Sequence, residues 1–273
     1  MQQSFQGVQW LATDWPGAPA NIGFVCTTRR GGISPDPYGP GPQATPSAGG
    51  GLNLGVHVGD DPSNVAFNRA ILRGRLPTEP AWLSQVHGTA VVRADRLGRG
   101  EVPEADASIA AMPGAVCAIQ TADCLPVLLT NRAGTVVGAA HAGWRSLAGG
   151  ILEATVDAMR AEAGEGEIIA LLGPAIGPKE FEVGEDVLTA FLAGADGAAV
   201  DEASVRAAFV ARPGIPGKYL ADIYALARLA LRRVGVTDVS GGDLCTVTDA
   251  SRFYSYRRDK VTGRQASLIW IKE

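Results

Sequence analysis

The apolar residues of this chain fall into short unbroken runs, not one long periodic pattern. Residues 22–28, 82–86, 90–93, 115–121, 125–130, 135–140, 168–172 and 267–271 each have the length and composition of a strand. Asn131-Arg132-Ala133-Gly134 separates two of these runs and predicts a hairpin. Helical spacing occupies 64–75, behind the start signal Asp61-Pro62-Ser63, and 149–163, ahead of Gly164. A short helix is predicted over 185–193. The clearest amphipathic helix is 219–234, with Leu220, Ile223, Tyr224, Ala227, Leu231 and Val234 on one face and Gly235 as its stop. The Gly/Pro-rich stretch 31–51 predicts no regular element and reads as a mobile loop. Strands and helices mix without strict alternation, which predicts an α+β fold over a Rossmann-type sheet. No internal repeat is evident.

Composition narrows the picture. At 273 residues and 46% apolar, the chain can bury a large core. A net charge of −4 argues against binding nucleic acid by phosphate neutralisation. No apolar run reaches the roughly 18 residues of a membrane helix. The start, Met1-Gln2-Gln3-Ser4-Phe5-Gln6, lacks the basic and apolar regions of a secretory leader. The cysteines Cys26, Cys117, Cys124 and Cys245 are far apart and form no C-x-x-C pair. A reducing, cytoplasmic setting is therefore expected, with Cys124 as a thiolate ligand or nucleophile and the other three as small buried apolar residues.

Three segments carry candidate chemistry. They are Ser84-Gln85-Val86-His87-Gly88, Thr121-Ala122-Asp123-Cys124 and His141-Ala142-Gly143-Trp144-Arg145. Two of the chain's three histidines sit here, each just beyond an apolar run. Imidazole and thiolate are preferred zinc ligands, and His87, Cys124 and His141 as three ligands leave a fourth position open, as in a catalytic site. Gly88 and Gly143 flank the histidines and allow close approach of backbone or ligand. The spacing alone does not force the three together. A cysteine hydrolase uses the same atoms, with Cys124 as nucleophile, His87 or His141 as base and Asp123 as orienter. A metal-stabilised binding module without catalysis is a third possibility. His141 to Ser146, lying between a strand and a helix expected near Gly149, offers backbone N–H groups and Arg145 to a phosphate. Arg29 and Arg30 before Gly31-Gly32 are another anion candidate. His57 reads as structural or loop-facing. Tyr254, Tyr256, Arg257 and Arg258 read as an exposed basic turn, with pocket lining as the alternative.

At these residues the chain resembles the YfiH-like proteins, also called the laccase-domain or multicopper polyphenol oxidase family. The resemblance is carried by Thr28-Arg29-Arg30-Gly31-Gly32-Ile33-Ser34, Asn53-Leu54-Gly55, the three segments above, Gly173-Pro174-Ala175-Ile176-Gly177, Phe181-Glu182-Val183-Gly184, and Phe253-Tyr254-Ser255-Tyr256-Arg257-Arg258-Asp259 with Thr262-Gly263-Arg264-Gln265. It implies a single domain with a layered α/β/β/α arrangement of mixed sheets. It also implies zinc at His87, Cys124 and His141. The implied activities are phosphorolysis of adenosine, inosine, guanosine and methylthioadenosine, and deamination of adenosine. Links to peptidoglycan-precursor editing and phenol oxidation belong to the same family. On this reading Arg29, Asn53 and Arg145 are candidates for substrate or phosphate, Asp123 for proton transfer or ligand support, and a monomer is expected. The stretch Pro40 to Gly50 looks like an insertion relative to the family. A coupled multicopper cluster needs many more imidazoles than the three histidines available, although a single copper could replace zinc at the same donors.

Overall fold

The computed structural model describes residues 10–11, 14–42, 49–194 and 200–273. The chain start at Met1–Gln6 and residues 43–48, most of the expected insertion, lie outside them. Strand β1 (Ile22–Cys26) stops two residues short of the predicted run. The Gly/Pro-rich stretch is not irregular throughout, because β2 (Arg30–Gly32) pairs antiparallel with β3 (Gly50–Gly51). Its glycines serve close packing: a Cβ on Gly51 would run into the carbonyl of Tyr38, and one on Gly32 into the carbonyl of Gly51.

Helix α1 (Pro62–Arg73) begins two residues before the prediction, since Asp61 accepts the Ser63 N–H at 2.7 Å and caps it. Strand β4 is only Pro80–Ala81. Residues 82–86, expected as a strand beside 90–93, form no ladder, although Ser84 bridges Glu104. Strand β5 (Val91–Arg93) joins a different sheet from β4. Strand β6 (Ala107–Ala110) was not expected. Strands β7 (Val116–Thr121), β8 (Leu125–Asn131) and β9 (Val137–Ala142) follow, the last two forming the predicted hairpin. The helix expected over 149–163 is α3 (Ile151–Ala163), and a short α2 (Trp144–Ala148) precedes it. Gly150, at φ +95, separates the two.

Strand β10 (Ile168–Leu172) matches its prediction. Strand β11 (Glu182–Gly184), which was not expected, leads into α4 (Glu185–Ala193), which matches its prediction. Helix α5 (Glu202–Ala207) and strand β12 (Phe209–Ala211) were not expected. Tyr219 and Leu220 belong to β13 (Lys218–Ala221), not to the amphipathic helix. That helix, α6 (Ile223–Arg233), starts where Asp222 accepts the N–H groups of Tyr224 and Ala225 at 3.0 Å. Strand β14 (Val239–Gly241), helix α7 (Tyr256–Asp259) and β15 (Gln265–Ile271) complete the chain.

Two mixed sheets organise these elements, with orders β1-β15-β7-β4 and β14-β10-β8-β9-β6-β5. Alternate residues of each central strand point to opposite faces. Cys117 and Ile119 of β7 meet Leu128 of β8, Val137 and Ala139 of β9, and Ile169 and Leu171 of β10 in a core between the sheets. Val116 and Ala118 of β7 point the other way, into a core that includes Leu72 of α1. Leu125, Val127 and Leu129 of β8 point toward a third core with Leu152, Val156, Leu226 and Leu231 from α3 and α6. The three cores are the three contacts of an α/β/β/α stack, in an α+β fold. Strands buried on both faces read as continuous apolar runs, which is why the sequence pattern marks them without alternation.

Candidate metal centre

At one end of the six-stranded sheet, β8 begins, β9 ends and β6 begins, as the pairings Leu125–Ala142 and Ala107–Ala140 require. His141 sits within β9, one residue from its end and opposite Pro126. Cys124 ends the three-residue crossing by which the chain leaves β7 in one sheet and enters β8 in the other. His87 lies on the loop before β5. One donor atom from each of the three residues lies within 4.8 Å of the others. Cys124 Sγ is 3.7 Å from His87 Nε2, and the two imidazoles meet edge-on with centroids 4.8 Å apart.

Asp106, which the sequence reading passed over, holds two of these residues. His141 Nδ1 donates to Asp106 Oδ1 at 2.7 Å, so the other ring nitrogen is left for a ligand role. The same carboxylate accepts backbone N–H groups from Val86 at 3.2 Å, His87 at 3.0 Å and Gly88 at 2.7 Å. Those bonds fix a loop in which His87 has φ +61, an unusual region for a residue with a side chain. Burial opposes the charge on Asp106, but the His141 and backbone N–H donors outweigh it and hold its carboxyl below the ordinary value.

Burial also opposes a Cys124 thiolate, yet the His141 and His87 imidazoles override it and bring the thiol down to about 6. His141 shows the converse. Burial disfavours its imidazolium, and Cys124 and Asp106 together raise it to about 9. Cys26 and Cys117 lack such partners, and burial pushes them up to about 11 and about 12. They fit the expectation of inert buried thiols. Cys245 is partly exposed, with its Sγ accepting the Gly177 N–H at 3.3 Å.

Gly143 is needed beside the donors. A Cβ there would stand 2.7 Å from His87 Cδ2 and 3.2 Å from Cys124 Sγ. At Gly88 a Cβ would meet only ordinary contacts, so that glycine contributes its N–H and not its lack of a side chain. The donor types suit a zinc ion, and the 3.7 Å between Cys124 Sγ and His87 Nε2 lies within the roughly 3.3–3.8 Å implied by tetrahedral bonds of about 2.3 Å to sulfur and about 2.0–2.1 Å to nitrogen. The same set also suits copper.

Asp123 hydrogen-bonds to none of the three donors. Its Oδ1 accepts from Thr246 Oγ1 at 2.6 Å, its Oδ2 from the Arg257 N–H at 2.6 Å, and its carbonyl from the Ile176 N–H at 2.9 Å. With φ +97, it is the braced corner of the crossing that presents Cys124.

The donors line a cavity of about 460 Å³. Its apolar walls include Leu83, Trp144, Ile176, Phe181 and Ile223. Arg145 lines it, with its guanidinium 4.3 Å from the Trp144 ring. The short helix α2 starts beside it at Trp144, ahead of the α3 that the sequence placed near Gly149. Arg29 and Asn53 do not line this cavity. Arg29 is buried, donating to the carbonyls of Gly39 and Ala250, and faces a separate depression with Arg258. Asn53 is buried and tied to Asp60, Gly55 and the Arg264 N–H. Tyr256 and Arg257 line the cavity, whereas Tyr254 is buried and Arg258 lies with Arg29. Exposed His57 reaches the cavity too.

Arg264 is the basic residue that the sequence reading did not place. It lines the cavity and donates to the carbonyls of Thr262 and Gly263, and among the described residues no carboxylate forms an ion pair with it. Burial pushes its guanidinium down, while Cys124, Asp123 and Tyr256 act to restore it.

Residues 23–272 match the family described as "Multi-copper polyphenol oxidoreductase laccase". A Pseudomonas aeruginosa protein named purine nucleoside phosphorylase is 50% identical over 97% of this chain and 99% of its own length. Purine nucleoside phosphorylase YfiH of Escherichia coli is 49% identical over 96% and 98%. Among solved structures, Neisseria meningitidis protein NMB0706 superposes with a TM-score of 0.81 at 48% identity, covering 97% of this chain and 99% of that one. YlmD of Geobacillus stearothermophilus gives 0.82 at 30% identity, covering 97% and 96%.

Proposed function

The chain belongs to the multi-copper polyphenol oxidoreductase laccase family, and from that premise we propose that it is a zinc-dependent purine nucleoside phosphorylase that also deaminates adenosine. The names of its relatives support the phosphorylase. The observation that carries the reading is the meeting of His87, Cys124 and His141 in the wall of a nucleoside-sized cavity. His87, Cys124 and His141 would hold a zinc ion, which would supply Lewis-acid chemistry there.

The chain's own residues do the remaining work. Leu83, Ile176, Phe181 and Ile223 offer apolar surface to a base and exclude water from it. Arg145 and Arg264 replace Arg29 as the cations for phosphate, because they and not Arg29 line the cavity. In phosphorolysis a phosphate oxygen bonds to the ribose carbon as the bond to the base breaks and its electron pair leaves with the base. Two guanidiniums keep that dianion beside the ribose. Asp123 acts as a positioning residue, since both of its carboxylate oxygens are committed to Thr246 and Arg257. With four free cysteines among the described residues, a reducing cytoplasm is the fitting compartment. We take the protein to act as a monomer.

Despite the family's name, copper-cluster oxidation is not proposed, because three histidines cannot supply its ligands. Phenol oxidation is a side activity of a form carrying copper at the same donors. A second reading is favoured by the relay Cys124–His141–Asp106, which has the thiolate, imidazole and carboxylate of a cysteine nucleophile. In it the orienting carboxylate is Asp106 instead of Asp123, and the substrates are amides such as peptidoglycan precursors.

Metal analysis of protein purified without added metal, with nucleoside assays with and without phosphate, decides between them. One zinc per chain, phosphate-dependent release of base and loss of activity on chelation are expected. Amide hydrolysis that survives chelation and dies on alkylation of Cys124 would replace the first reading with the second.

A further inference from the structure

Resting on the purine nucleoside phosphorylase reading, we propose that Arg264 is the preset cation of the phosphate site, and that Asn53 and Gly55 are the residues that position it. Three arginines line the cavity, and they differ in what holds them. Both terminal nitrogens of Arg257 donate to the Glu182 carbonyl at 3.1 Å, so that guanidinium is spent on the protein. Arg145 is exposed, lies over the Trp144 ring and donates to no described residue. Arg264 is part-buried and half committed. Its Nη1 donates to the carbonyls of Thr262 at 3.3 Å and Gly263 at 3.0 Å. Its Nε and Nη2 donate to no described residue and are not sealed from solvent. One edge of the guanidinium is thus anchored. The other, with the paired N–H groups that grip an oxyanion, is open.

The backbone of Arg264 is clamped to the turn Asn53–Gly55. One Oδ1 of buried Asn53 accepts the N–H of Arg264 at 2.9 Å and that of Gly55 at 3.0 Å. The Leu54 N–H donates to the Arg264 carbonyl at 3.1 Å. Asn53 is held in turn, because its Nδ2 donates to Asp60 and its carbonyl accepts from Asn68, both at 2.9 Å. Gly55 sets the side chain. A Cβ there would stand 2.7 Å from Arg264 Cγ and 3.2 Å from its Cβ, so the aliphatic stem lies against the bare glycine. Asn53 does not line the cavity, yet it acts on it through Arg264.

This arrangement has an energetic reason to take an anion. Burial disfavours the charge on Arg264, and the nearby charges of Cys124, Asp123 and Tyr256 restore it only in part. A phosphate dianion on the open edge supplies the charged partner that the protein withholds. The backbone clamp and the anchored Nη1 also reduce the freedom that the side chain loses on binding, which exposed Arg145 would lose in full.

The test is phosphorolysis of inosine by the zinc-loaded protein. Phosphate is varied at saturating inosine, then inosine at saturating phosphate, with zinc content and Tm recorded for each variant. Arg264→Gln should raise the KM for phosphate by at least about tenfold and leave that for inosine within about twofold of wild type. Asn53→Ala, which frees the Arg264 backbone, and Gly55→Ala, which displaces its stem, should raise the phosphate KM by about three- to tenfold with the same selectivity. Gly55→Ala removes no hydrogen bond and decides alone on positioning if Asn53→Ala fails to fold. An unchanged phosphate KM in folded, zinc-replete Arg264→Gln overturns the proposal. So does a Gly55→Ala protein whose two KM values rise together or not at all. Both outcomes leave the phosphorylase reading intact. Wild-type protein that releases no base in the presence of phosphate would overturn both.

Discussion

Asp106 takes the Nδ1–H of His141 and three backbone N–H groups from the His87 loop, so one buried carboxylate sets the orientation of two donors. Removing its charge should be felt at the metal and not at the substrate. Asp106→Asn is expected to weaken zinc binding by roughly 10–100-fold, measured by competition with a chromogenic chelator. The lowered thiol of Cys124 gives a second expectation at this scale. In metal-free protein the thiolate is the reactive form, so alkylation by iodoacetamide should be constant above neutrality and fall as the pH drops through about 6. His141→Gln should move that fall upward, toward the range of an ordinary thiol. Rates that keep rising up to pH 9 in the wild type would show that the imidazoles do not stabilise the thiolate. Residue types made His87, Cys124 and His141 candidate donors, their spacing did not group them, and the resemblance implied the shared site that their meeting in the fold supports. Asp106 was not legible, because an acid at the head of a short apolar run has many structural explanations, and its partner His141 is 35 positions away.

The crossing from β7 to β8 is the element that carries Cys124, and it packs against the end of β9 at Gly143. Its tightness follows from Asp123 at φ +97, braced on both carboxylate oxygens, and from the absence of a Cβ on Gly143. Gly143→Ala would put a methyl against the His87 ring and displace a donor. The expected result is a loss of zinc affinity of at least about tenfold, with the Tm of the metal-free protein lowered only slightly. Element positions were well marked where an apolar run or helical face was long. Strand β10 and helix α4 match their predicted bounds. Failures fell on short elements: strand β6 and helix α5 were missed, and β13 was absorbed into the amphipathic helix because Leu220 fits its apolar face by spacing. A two- to four-residue strand has too few positions to show a period, and its ladder partner defines it.

For the whole molecule, three cores stacked between four layers make the sheets a rigid support for a site at their end. Leu128 is fully buried between the sheets. Leu128→Ala should cost about 2–5 kcal/mol of stability by denaturant unfolding while leaving zinc stoichiometry unchanged. Metal loading should act in the opposite direction. Zinc at a thousandfold excess over its Kd stabilises the native state by about 4 kcal/mol, read as a raised Tm that a chelator reverses. An unchanged Tm on chelation of zinc-loaded protein would mean that the ion does not bridge these three elements.

The sequence by itself determined the strand-forming segments, the soft donor types at His87, Cys124 and His141, and a histidine count too small for a copper cluster. These properties are local, set by side-chain chemistry and by the spacing of neighbours along the chain. The tertiary structure decided which sheet each apolar run enters, since residues buried on both faces carry no alternation to reveal it. It also decided that Asp106 supports the donors, that Asp123 braces a corner, and that Arg264 lines the cavity in place of Arg29. Each of these depends on contacts across tens to more than a hundred positions, such as Thr246 with Asp123, which chain folding alone brings within hydrogen-bond reach.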